Sequence, residues 1–260
     1  MSEEQAAQNP LAVSQRLLWE GLPETRKGPR PSLTLDQIVT AAIDIADAGG
    51  IDALSMRKLA AELNMSPMAL YRYVPGKTEL LHLMLDAVEV LPADSATTPD
   101  DGWREVLEAW AWRGRALHLH HRWLLQVNST RTPIGPHSLA GIERLMSGLA
   151  DMPFSDQEKV MVMSLLDGYV TGTARQEILY QQAAEESGVS DGEFWELQLP
   201  LLVQAVESGH YPTMAGMAED TFDGGWEETF ALGLHALLDG LELEVQRRRA
   251  GRTPTEDGLR

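Results

Sequence analysis

Tyr71, Arg72 and Tyr73 stand side by side in the chain, with Arg57 upstream and Lys77 just beyond them. These residue types suit one kind of chemistry. Tyrosine offers a hydroxyl and a flat face. Arginine is a planar fork of donors that can bind O6 and N7 of guanine with two hydrogen bonds. A lysine at the start of a helix adds charge where unpaired N–H groups already favour an anion. Such a set addresses phosphates and base edges and forms no bonds itself. Arg57 and Arg72 are the base-reading candidates, and Met68 and Ala69 suit contact with a thymine methyl. Tyr71 and Lys77 suit phosphate.

The elements that must position these residues are legible around them. Thr34 is a good N-cap, followed by Asp36 and Gln37 in a first turn. Ile38, Ala41, Ala42, Ile45 and Ala46 then repeat at three and four, predicting a helix over 34–48 that stops at Gly49-Gly50. Ser55 caps a helix from Met56 to Leu63 that turns Leu59, Ala60 and Leu63 inward. Asn64 tolerates the left-handed conformation and suits the turn. Ser66 caps the next helix, with Pro67 at its first position. Leu70 and Val74 point to the core, and Pro75-Gly76 ends the helix. Another runs from Lys77 to Leu91. Two short helices joined by a tight turn form a helix-turn-helix, whose second helix enters a major groove. Its outward residues are Ser66, Pro67, Met68, Ala69, Tyr71, Arg72 and Tyr73. Packing against the core is the competing role for the two tyrosines, more so for Tyr73.

The stretch LSMRKLAAELNMSPMALYRYVPGKTEL carries the pattern LxMRKLAxxLxMSxxxLYxYVxxKxxLL. Residues 35–85 thereby resemble the N-terminal domain of the tetracycline repressor family of bacterial regulators, over about a fifth of the chain. The resemblance implies phosphate contacts for Tyr71 and Lys77, and a base or phosphate contact for Arg57. The chain departs from the pattern in its long N-terminal extension. It also has Met68, Ala69 and Arg72 where relatives vary, so no relative's operator can be copied.

Charge at first argues against DNA, since the chain nets −18 over 260 residues. Its distribution removes the objection. Residues 1–82 hold 8 Lys+Arg against 10 Asp+Glu, and the rest hold 13 against 29. Within 53–77 the count is 4 to 1, so the local charge is positive where phosphates would lie. There is no cysteine, which excludes disulfides and thiolate metal sites and fits a cytoplasmic protein. No window reaches the roughly 18 apolar residues of a membrane span, and the acidic, polar first residues do not read as a signal peptide.

The expected organisation is all-α. Residues 1–31 form a flexible N-terminal extension in which Arg26, Lys27 and Arg30 offer an arm to phosphates or a minor groove. A three-helix DNA-binding domain spans 32–91. A helical effector-binding and dimerisation domain spans 92–250, and a tail spans 251–260. Downstream helices are expected over 103–123 as one or two pieces, then 137–150, 155–184, 191–208 with a break at Pro200, and 226–249. A flexible loop fills 209–225. Helix order and the glycine-containing loop resemble the tetracycline-repressor type of C-terminal domain. That resemblance implies a homodimer built on helices 155–184 and 226–249, and two copies would read a near-palindrome. It also implies a pocket for a small effector, whose binding shifts helix 77–91 and the spacing of the reading helices.

Trp110, Trp112, His118, Trp123, Met146, Met163, Tyr169 and Gln176 are the candidate pocket residues, since aromatic and methionine walls suit a flat hydrophobic ligand. Core packing is the competing role for each. His118 and His121 lie three apart on a helix, so a metal-responsive regulator is an alternative, as is an activator of the same fold. No acidic residue lies at a ligand spacing nearby and Arg115 and Arg122 flank the histidines, so no metal or cofactor is expected. The magnesium chemistry of the family's namesake is not implied. An enzyme is not expected either: no glycine-rich phosphate loop, GxSxG, HExxH or paired carboxylates occur. A protein-binding use of the helix-turn-helix remains as a third class.

Overall fold

The computed structural model describes residues 9–22, 33–91, 102–128, 131–218 and 220–251. Arg26, Lys27, Arg30, residues 92–101 and all but Gly251 of the tail lie outside them. The described residues are helical throughout, without strands. The chain divides into two compact units, Met1–Ser164 and Leu165–Arg260.

In the first unit, α1 (Pro10–Glu20) is followed by α2 (Leu35–Gly49), α3 (Met56–Glu62), α4 (Pro67–Leu70), α5 (Lys77–Ala87), α6 (Trp103–His120) and α7 (Pro136–Gly148). The local chemistry sets these bounds. Thr34 and Gln37 form a reciprocal capping box at the start of α2. Gly50, with φ 74°, ends it. Ser55 and Ser66 accept from the backbone N–H of Lys58 and Ala69, capping α3 and α4. Asn64 turns the chain between them at φ 54°, the left-handed conformation its short polar side chain tolerates. Ile38, Ala42, Leu59, Ala60, Leu70, Val74, Leu80 and Met84 fill the space between α2 and α5 as one buried cluster.

Two expectations are corrected here. Residues 10–20 are not a flexible extension. Asn9 and Pro10 start α1, and Leu17 is buried against the core with Val13 and Leu18 beside it. The apolar face of α1 lies on α5, and burying it removes the reason to fray. In addition, α4 is one α-turn long. Arg72 and Tyr73 continue it with tighter i→i−3 bonds to Ala69 and Leu70, because Pro75 follows too closely for a longer helix.

α8 (Asp156–Ser187) begins in the first unit and runs on into the second, where α9 (Asp191–Glu207), α10 (Pro212–Ala215) and α11 (Trp226–Arg249) follow. Val170, Ala174 and Ile178 on α8 are buried, as are Phe230, Leu234 and Leu238 on α11. The Tyr169 and Phe230 rings meet at 5.4 Å. Tyr169 also donates to the Phe230 carbonyl at 2.6 Å, over Gly233, which has no Cβ to obstruct the ring. The expected break at Pro200 is absent, since α9 passes through it unbroken. Proline leaves one carbonyl four residues back without its usual partner. No residue of α9 is buried. The 209–225 segment is also not wholly a loop, since it contains the single turn α10.

Candidate nucleic-acid interface

The core leaves one side of α3 and α4 outside. Arg57, Ser66, Pro67, Met68, Tyr71 and Arg72 are exposed there, with Met68 at 76 % the most open. Ala69 is half-buried. Tyr73 packs partly against the core cluster, so Tyr71 presents more free surface of the two. Lys77 sits at the first position of α5, and its ammonium donates to the Ile51 carbonyl at 3.0 Å. That bond fixes the nitrogen beside the helix N-terminus with two donors left over. The result is a short convex ridge of apolar, aromatic and cationic side chains on a rigid base.

Three ties connect this base to the rest of its unit, and the sequence pattern signalled none of them. The first is Asp86, near the end of α5. Its buried carboxylate accepts from the backbone N–H groups of His137 and Ser138 and from the Ser138 hydroxyl, at 2.8–3.3 Å. The His137 ring stands 3.1 Å away. These N–H groups open α7, whose N-cap Gly135 has no side chain to serve them. A carboxylate from α5 therefore caps α7, where the helix dipole favours negative charge.

The second tie is α1. Ser14 meets the His82 ring of α5 at 2.8 Å, and Trp19 donates to the Ile134 carbonyl at 3.1 Å. Burial lowers the His82 pKa below the ordinary value of 6.5, partly opposed by the nearby Glu79 charge. The third is Asp47, in the last turn of α2. It accepts from Trp123 Nε1 at 2.8 Å and faces His121 Nδ1 at 2.8 and 3.0 Å.

The proposed effector residues fall in both units, Trp110 to Met163 in the first and Tyr169 and Gln176 in the second. Trp123 is a correction: it is 1 % exposed, sits in the core cluster of the DNA-binding helices, and commits its N–H to Asp47. No face is left for a ligand. Trp110 and Trp112 lie two apart on α6 and so point to opposite sides; Arg115 stands over the Trp112 ring at 5.9 Å. His118 returns its Nδ1 to the Gly114 carbonyl. Met146 on α7 and Met163 on α8 are half-buried, Tyr169 is bound to α11, and Gln176 is exposed. The described first unit does contain a cavity of about 500 Å³, elsewhere, among α1, α2, α5 and the start of α7. Leu17, Val39, Leu83, Val90 and Pro136 line it, with Asp86 and His137 at its polar end.

Residues 38–84 match the profile of the bacterial regulatory proteins of the tetR family, and residues 95–245 match that of the tetracyclin repressor-like C-terminal domain. The chain belongs to the TetR family. It is 44 % identical over 253 residues to the HTH-type transcriptional repressor DrrR1 of Streptomyces coeruleorubidus, spanning 97 % of this chain and 93 % of that one. Among solved structures it is similar to apo ActR of Streptomyces coelicolor, with TM-score 0.66 and 28 % identity over 85 % of this chain and all of the other. It is also similar to ActR in complex with actinorhodin, with TM-score 0.64 and 32 % identity over 83 % and 99 %. This TetR-family chain is thus a DNA-binding transcriptional regulator of the ligand-responsive kind. Its family is one of regulators, not enzymes. No helix among the described residues is long and apolar enough to cross a membrane.

Proposed function

We propose that the protein is a homodimeric repressor that acts in the cytoplasm and leaves a near-palindromic operator when a small hydrophobic or aromatic effector binds its 92–250 region. The observation that carries this reading is the exposed ridge of Arg57, Met68, Tyr71 and Arg72 on helices whose opposite faces are buried through Met56, Leu59, Ala60 and Leu70. No packing role accounts for that set, and its chemistry matches phosphates and base edges. Tyr71 and Lys77 hold phosphate. Arg57 and Arg72 read bases. Ser66, Pro67, Ala69 and Tyr73 set the approach, and the arm at Arg26, Lys27 and Arg30 adds charge.

Dimerisation rests on apolar surface in the second unit. Leu232 on α11 is 74 % exposed, and Leu197 and Leu201 on α9 are 73 % and 71 % exposed. A second copy would cover them. A small-molecule effector is supported by the likeness to ActR in complex with actinorhodin. Trp110, Trp112, His118, Met146, Met163, Tyr169 and Gln176 supply the side chains from which its site would be built.

Effector binding acts through α5. The Asp86 cap ties α5 to α7, so a shift of α7 carries α5 with it and changes the separation of the two reading helices. The test is selection of bound duplexes from a random pool by the purified protein, followed by an effector screen on the best one. A near-palindrome released by an aromatic ligand supports the reading. A ligand that binds tightly and leaves operator affinity unchanged overturns it.

A further inference from the structure

Asp47, His120 and His121 bring three ligand atoms within 4.8 Å of one another. We infer that these three residues form a site for a divalent first-row transition-metal ion of the zinc or nickel class. The sequence hides the site, because the acid lies more than seventy residues before the histidines it meets. Two imidazoles and one carboxylate are the donor set such ions favour. Three protein donors leave a further position for water.

The carboxylate is already oriented. Trp123, fully buried, donates its N–H to Asp47 Oδ1 at 2.8 Å, so Oδ2 is free of that bond and stands 3.0 Å from His121 Nδ1. A donor held from behind by a fixed hydrogen bond is the usual outer support of a metal ligand. His120 is exposed, and its ring stacks edge-on against His121 at 4.5 Å, so it can turn its nitrogen toward the other two donors. The backbone field points the same way. Asp47 lies in the last turn of α2, and His120 is the last residue of α6. Two helix C-termini, each the negative end of its dipole, therefore converge on the cluster. No lysine or arginine occupies the last turn of α2.

On binding, the ion takes the place of the Asp47–His121 hydrogen bond, and the neutral His121 ring exchanges its proton through solvent from Nδ1 to Nε2, which frees the Nδ1 lone pair for the ion. The end of α2 is then tied to the end of α6 by coordination. The test of this site uses no DNA, so it is independent of the proposed function.

The experiment is calorimetric titration of the chelator-treated full-length protein with ZnCl₂, with CoCl₂ binding followed by visible absorption. The expected result is one ion per chain, cobalt ligand-field bands of a tetrahedral nitrogen–oxygen site, and a melting temperature that rises with zinc. His120→Ala, at an exposed position, should abolish the cobalt bands and the zinc-dependent rise. Trp123→Phe should weaken zinc binding by about 10–100-fold, as loss of an outer-shell partner does. His210→Ala, at an exposed histidine of the second unit, should change nothing. If wild type binds no ion at one per chain, or if His120→Ala and Asp47→Asn bind zinc as wild type does, the cluster is a plain hydrogen-bonded latch and the inference falls.

Discussion

The Ser14 hydroxyl of α1 meets Nδ1 of His82 on α5 at 2.8 Å, both side chains buried. Ser14 has one hydrogen and gives it to the Pro10 carbonyl, 2.9 Å away, so His82 is the donor between them and its Nδ1 carries the proton. The extension helix is thus bound to the DNA-binding domain through a neutral imidazole.

A pH dependence follows from the burial of that imidazole, which disfavours its charged form. The folded His82 pKa is below its unfolded value of 6.5, so below about pH 6.5 the unfolded chain takes up a proton that the folded one refuses. Stability is therefore complete above that value and is lost as pH falls toward the depressed folded pKa. The urea unfolding midpoint should be lower at pH 5.5 than at pH 7.5. Ser14→Ala leaves the His82 donor unmatched and should cost about 1–3 kcal/mol. An unfolding midpoint flat across these pH values would show that burial does not disfavour the charged His82 ring.

Arg57→Ala and Arg72→Ala should each weaken binding to the selected operator by about 1–3 kcal/mol and relax base preference at one position per half-site. Lys77→Ala should instead lower affinity evenly across sequences and reduce the slope of log affinity against log salt by about one. Fluorescence anisotropy at several salt concentrations separates the two behaviours. A Lys77 variant with an unchanged salt slope would place that ammonium away from phosphate.

Asp86→Ala strips α7 of its cap and should cost about 0.5–2 kcal/mol of stability, the usual range for a lost N-cap. It should also raise the effector concentration needed for operator release, because α7 and α5 no longer move together. Gly135→Ala is a second route to the same joint, since a Cβ there overlaps the Asp86 carboxyl group. Release curves that superimpose on wild type for both variants would remove Asp86 from the transmission path.

Leu232→Glu and Leu197→Glu place charge on apolar surface that a second copy is to cover. Light scattering should report a shift from dimer to monomer, with a parallel loss of operator affinity, while far-ultraviolet circular dichroism stays the same because both residues are solvent-facing in the single chain. Variants that remain dimeric would move the interface elsewhere.

Local signals made the DNA-binding half readable. Thr34, Ser55, Ser66, Pro67, Asn64 and Gly50 each act within four residues of themselves, and each sits where its chemistry placed it. The last helix, 226–249, was equally plain. What escaped was non-local. The amphipathic face of α1 has meaning only once α5 is known to lie under it. Asp47 and His121, like Asp86 and Ser138, are far apart in sequence, and no periodicity connects them. Trp123 read as a pocket wall because a large aromatic fits a pocket and a core equally well. Pro200 read as a break because proline removes one helical hydrogen bond and crowds the carbonyl four residues back, yet the helix continues through it.

The four-residue length of α4 bears on how the protein finds its address in a chromosome. At 1.5 Å per residue the helix covers about 6 Å, less than two base-pair steps of 3.4 Å. Even with side chains fanning outward, it reads a word of some four base pairs, which recurs by chance roughly every 250 base pairs among the million or more competing sites of a genome. A single reading head would be spread over thousands of meaningless copies of its own word. Only a pair of heads at fixed spacing makes that word rare, so an effector need not touch a base contact to erase the message: altering the distance between two words is enough.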